Sequence, residues 1–249
     1  MGNTFFRDKH LTDTYRGANL ESLGKTISSV AAQVRNGDFS DLYVGDYFDT
    51  RINNRSIKWH IADIDYFLNT GDTLLKKHHL VMMNDIPIME AYMAPFNSTQ
   101  GGYVGSHIRK DRFNEIIDII NNRGFRSYIL PHRELLSNSL DPNAKPSGCT
   151  AWVGCTNGWE WCDSTIELLT EPQVYGCTIA GSSTYDVGIG TRQFAIFRLN
   201  NTFMNIGVTW WLRAVSSGYT YCVVSSEGIA GARNTSDGNG QVRVYFLLG

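Results

Sequence analysis

The side chains with the widest chemical repertoire in this chain are five cysteines and six histidines, and their spacing argues against most of what they could do. Cys149, Cys155 and Cys162 are separated by five and six intervening residues. That is looser than the short paired spacing of a structural zinc site. His78 and His79 are adjacent, so on a strand they point to opposite faces, one buried and one exposed, and cannot share a metal ion. A cysteine nucleophile needs a base within hydrogen-bond reach, and only His107 or His132 could serve, with no local spacing to bring either close. Asp46, Asp49, Asp63 and Asp65 are near one another in sequence but lack the ligand spacing and central glycine of a calcium loop. Gly101-Gly102-Tyr103-Val104-Gly105 lacks the Lys-Ser/Thr pair of a phosphate loop and is expected to be a tight turn. These residues predict no catalytic centre, no metal and no cofactor.

The chemistry that remains is recognition. Trp152, Trp159 and Trp161 fall in a polar stretch, Gly148 to Asp163, expected to be a loop in which at least one indole plugs the core. The C-terminal end carries the stronger signal. Trp210-Trp211-Leu212-Arg213 opens a segment rich in Ser, Tyr, Gly, Asn and Thr, and Val242-Arg243-Val244 closes it. Tyr gives contact area at low entropic cost, and Ser, Gly and Asn give adaptable hydrogen bonding. In a strand over 219–226, Cys222 and Val224 would share a core face, and Tyr219, Tyr221, Val223 and Ser225 the exposed one. Ser216, Ser217, Glu227, Arg233, Asn234, Ser236 and Asp237 would extend that ligand-binding face. Trp210, Trp211, Arg213, Gly228 and Arg243 are assigned to the scaffold, with Arg213 needing a buried acceptor for its charge. The alternative is a polar sheet edge and loop with no ligand.

Elements must position these groups. Leu20, Leu23, Ile27, Val30, Ala31 and Val34 recur at helical spacing, with Gly37 as a stop. Residues 1–40 are therefore expected to form a helical extension, packed on the domain or used for homo-oligomer assembly or docking. Residues 42–52 and 57–62 predict a hairpin, and 78–83 another strand. Phe113, Ile116, Ile117 and Ile120 predict a helix between Asp111 as cap and Gly124 as stop, followed by a short strand over 126–130. Ser164-Thr165-Ile166-Glu167 has capping-box spacing for a helix that Pro172 would end.

With 249 residues and 42% apolar content the chain can bury a real core. A net charge of −2 with no basic stripe makes nucleic acid a poor partner. No apolar run reaches the ~20 residues of a membrane span, and residues 1–9 lack a signal-type apolar region, so synthesis in the cytoplasm with reduced thiols is expected. Strands and helices mix without regular alternation, which predicts an α+β domain over 41–249.

Several segments together resemble a group of phage and prophage proteins of gut-type Gram-positive bacteria. They are Asn97-Ser98-Thr99-Gln100-Gly101-Gly102-Tyr103-Val104-Gly105-Ser106, His132 to Asn138, Asp163 to Gly176, Trp210-Trp211-Leu212-Arg213 and Val242-Arg243. The C-terminal pattern is similar to C-type-lectin-like folds of the formylglycine-generating-enzyme type, including variable proteins of diversity-generating retroelements. Val244-Tyr245 departs from the proline usual after Val-Arg, and the paired cysteines of the enzyme have no counterpart near Cys222. The resemblance implies a virion-associated, tail-tip protein, released by lysis, that binds a protein or glycan on a bacterial host. It also implies a rival reading as a related enzyme or a purely structural virion component.

Overall fold

The computed structural model describes residues 12–52, 55–141, 155–181 and 192–249. Residues 1–9, Cys149 and Trp152 lie outside the described residues. The fold is α+β and built mostly on antiparallel pairing. One sheet runs β1 (Tyr47–Ile52), β2 (Arg55–Ile64), β3 (Leu80–Asn84), β12 (Val244–Leu248) and β7 (Ile166–Leu168). The other runs β10 (Ala230–Asn234), β9 (Thr220–Val224), β8 (Trp210–Ser217), β11 (Gln241–Val242) and β4 (Met89–Glu90). A separate ribbon pairs β5 (His132–Asp141) with β6 (Cys155–Ser164).

The inner strands of both sheets are covered on both faces. In β12, Val244, Phe246 and Leu248 enter one apolar core while Tyr245 and Leu247 enter the other. The pleat sorts β9 the same way, with Tyr221 and Val223 on one side and Cys222 and Val224 on the other. This corrects the expected exposure of Tyr221 and Val223. The Tyr221 hydroxyl donates to the Gly102 carbonyl at 2.7 Å, beneath the glycine-rich loop that covers that face.

The helix α1 (Ile27–Arg35) starts later than its apolar stripe suggests, at a Thr26–Ser29 capping box. Leu20, Val30 and Val34 are fully buried in the same core as β2 and β12. The stripe thus packs on the sheet, the first of the two expected uses. Leu23 alone of its large residues stays well exposed.

Three further local expectations are corrected. The stretch 148–163 is not simply a loop, because β6 occupies its second half. Trp161 is exposed and Trp159 half-buried, so neither fills the core. Residues 126–130 hold a short 3₁₀ turn, Arg126–Tyr128, instead of a strand. Pro172 stands in the first turn of α3 (Glu171–Tyr175), where its missing N–H costs nothing, and the capping box is Thr170–Gln173. The helix α2 (Phe113–Asn121) follows a π-helical turn, Ile108–Arg112, and Gly124 takes φ 85 just beyond it. A last helix, α4 (Ala195–Leu199), leads toward β8.

Two buried arginines tie the layers together. Arg213 of β8 donates to Glu134 of β5 at 2.8 Å, and His132 and the Tyr245 hydroxyl bond the other Glu134 oxygen. Burial pushes the Glu134 carboxyl up, but Arg213 and its hydrogen bonds outweigh this and hold it at about 2. Arg243 donates to the carbonyls of Phe203 and Asn84 at 2.7 and 3.0 Å and lies over the Trp210 ring at 4.5 Å. Burial pushes its pKa down to about 9. Trp211 donates to the Ala91 carbonyl at 2.7 Å, and Gly240 packs so close that a Cβ there would stand 2.0 Å from the indole nitrogen.

Candidate recognition surface

Three segments distant in sequence meet at one end of the second sheet. They are the loop 94–100, the β8–β9 turn at 217–219, and the turn 234–239 after β10. Thr235 joins them. Its N–H donates to the Tyr219 carbonyl at 3.0 Å, and its own carbonyl accepts from the N–H groups of Met93 and Ala94 at 2.8 and 3.0 Å. Its hydroxyl donates to the Phe96 carbonyl at 2.7 Å and accepts from the Ser98 N–H at 3.1 Å. Thr235 is fully buried, so none of these bonds is exchanged freely with water.

More bonds fix the same loops. The Thr99 N–H and hydroxyl donate to the carbonyls of Gly218 and Ser217 at 3.0 and 2.9 Å. The Ser236 hydroxyl donates to the Asn97 side-chain oxygen at 2.5 Å. Arg233 pairs with Asp237 at 2.5 Å beside them. On this fixed backbone stand Phe96, 75% exposed, and Tyr219, 52% exposed. Because both carbonyls bond to Thr235, the two backbones lie within roughly 9 Å of each other. A solitary exposed aromatic needs no explanation. Two carried on backbones that share one buried threonine offer a candidate anchor, because the loops that bear them are already ordered before binding.

No family model, no curated protein and no solved structure matches this chain. Function must be argued from this geometry.

The eleven residues expected to bind ligand divide into three groups. Tyr219, Arg233, Asn234, Ser236 and Asp237 lie on or beside this surface. Ser225 and Glu227 lie at the opposite end of the β9–β10 hairpin, a strand length of about 15 Å away. There Glu227 and Gly228 border a groove of about 280 Å³ with Asn201, Thr202, Met204 and Asn205, next to Ile229, 65% exposed. Ser216, Ser217, Tyr221 and Val223 are buried, a correction. The hydroxyls of both serines bond the Thr220 hydroxyl, at 2.7 and 2.5 Å.

Phe96 and Thr235 were missed by sequence reasoning. The only signal was an aromatic between Pro95 and Asn97 in a polar loop, and nothing there marks it as fixed.

The cysteines are placed apart. Cys155 and Cys162 sit at the two ends of β6, about 23 Å apart along the strand, too far to share a zinc ion. Cys222 is buried, Cys177 exposed, and burial pushes the Cys162 thiol up. Among the described residues no cluster of three or more His, Cys, Asp or Glu is arranged to hold a metal ion. His79 is buried, its Nε2 accepting from the Phe67 N–H at 3.1 Å, while His78 pairs with Asp65 at 2.6 Å. No helix among the described residues is long and apolar enough to cross a membrane.

Proposed function

We propose that this protein is a non-catalytic recognition module of C-type-lectin-like architecture. Its surface around Phe96 and Tyr219 binds a receptor on a bacterial host. We assign it to the tip of a phage tail, made in the cytoplasm and released with the virion, or to a retroelement-diversified binder of the same type. The carrying observation is the Thr235 hub, which fixes three loops and leaves two aromatics exposed on them. The placement of the C-terminal strand β12 inside the first sheet, between β3 and β7, supports the lectin-like architecture. Trp210, Trp211, Arg213 and Arg243, all buried, support a scaffold role for the Trp-Trp-Leu-Arg and Val-Arg segments.

The test is binding of the fluorescently labelled chain to intact cells of a panel of gut Gram-positive bacteria. Saturable binding is expected to at least one strain. Phe96→Ala and Tyr219→Ala should each weaken it about tenfold or more, at unchanged thermal stability. Equal binding by wild type and both variants would refute this surface as the site.

A further inference from the structure

We infer that the ligand of this face is a neutral glycan, an inference that rests on the recognition reading above. The composition of the face carries it. The segments 94–100, 217–219 and 234–239 contain one charged side chain, Asp237, in a chain that is 18% charged. That carboxylate is already paired with Arg233 at 2.5 Å and also accepts from the Asn239 N–H at 2.9 Å. A phosphate-bearing polymer needs guanidinium or ammonium groups free to meet it. Arg233, the guanidinium next to the last of these segments in sequence, is engaged by Asp237.

What the face does offer is neutral. Gln100, Asn234 and Asn239 are exposed, and among the described residues their side-chain amides make no bond within the chain. Each amide presents both a donor and an acceptor. Sugar hydroxyls are also donors and acceptors at once, so these groups match without leaving a charge to desolvate. The rings of Phe96 and Tyr219 supply the apolar surface on which the C–H face of a pyranose can lie. A protein partner would bring charged rim residues, and the three segments offer them only Asp237, which Arg233 already engages.

The experiment uses the full chain on a cell strain that it binds. Aliquots of cells are treated with periodate, which cleaves vicinal diols, with protease, or with hydrofluoric acid, which strips phosphodiester-linked polymers. Binding is also compared between about 0.05 M and about 0.5 M salt, a range over which screening shortens the electrostatic reach severalfold. The inference expects at least a tenfold loss after periodate, with less than a twofold change after protease, after hydrofluoric acid and with salt. Loss after protease, or survival after periodate, would make the receptor a protein. Loss after hydrofluoric acid or with salt would make it a polyanion. Either result overturns the glycan inference and leaves the recognition surface standing. Absence of binding to every strain, or undiminished binding by Phe96→Ala, would instead remove the recognition reading itself.

Discussion

The hydroxyl of Thr235 donates to the carbonyl of Phe96 at 2.7 Å, across 139 residues of chain. This bond links a buried side chain to the backbone of the most exposed large aromatic among the described residues. The fold therefore spends a buried hydrogen bond on holding a surface residue still.

Thr235→Val tests that relationship. Valine keeps the shape but removes the hydroxyl, leaving the Phe96 carbonyl and Ser98 N–H without this partner. The Ser98 N–H still donates to the Phe96 carbonyl at 2.7 Å, so loss of about 1 kcal/mol of stability is expected, the net worth of a typical intramolecular hydrogen bond. Amide exchange at Ser98 should accelerate, and cell binding should weaken although Phe96 is untouched. Unchanged exchange at Ser98 would show that the hub does not hold the loop.

Tyr221 separates core from surface. Tyr221→Ala should cost about 3–5 kcal/mol in denaturant unfolding, as expected for a buried aromatic lost from a core. Tyr221→Phe removes only the bond to Gly102 and should cost about 1 kcal/mol. Tyr219→Ala should change stability by less than about 0.5 kcal/mol. A melting temperature unaffected by Tyr221→Ala would contradict the burial described here.

The contrast between these neighbours shows what the sequence made legible. The two-residue alternation of β9 was readable, and so was the separation of Cys222 from Tyr221. How many faces of the sheet are covered was not. That depends on the loop at Gly102, which is remote in sequence. The helix at 113–121 was readable because its apolar residues recur over more than two turns. The helix at Pro172 was misread because Ser164–Glu167 and Thr170–Gln173 offer the same capping spacing, and only pairing of Ile166–Leu168 with β12 decides between them. Thr235 left no local trace, since its partners come from residues 93–98 and 219.

The buried pair of Arg213 and Glu134 makes a different prediction. Each change removes a buried charge-assisted bond, so Glu134→Leu or Arg213→Met alone should cost about 1.5–3 kcal/mol. The double variant should cost less than the sum of the two, because the bond between them is lost only once. Chemical denaturation of the four proteins gives the coupling directly. Additive losses would mean that Arg213 and Glu134 do not act as a pair.

Stability should fall in two steps as the solution is acidified. Burial of His79, only partly offset by its bond to the Lys77 carbonyl, lowers its pKa from 6.5 to about 4. The unfolded chain therefore takes up the proton first. Stability is full above pH 6.5 and is lost as pH falls toward 4, by about 3 kcal/mol. His60, also lowered by burial, adds to the same slope. Glu134 acts below that range. Its pKa is depressed from 4.5 to about 2, so its contribution is present above pH 4.5 and is lost as pH falls toward 2. Urea unfolding at intervals from pH 7.5 to 3 should show both steps. His79→Gln should flatten the slope between pH 6.5 and 4.5 while leaving that below 4.5 intact. If the upper slope is the same with and without His79, protonation of the buried imidazole is not what drives the loss.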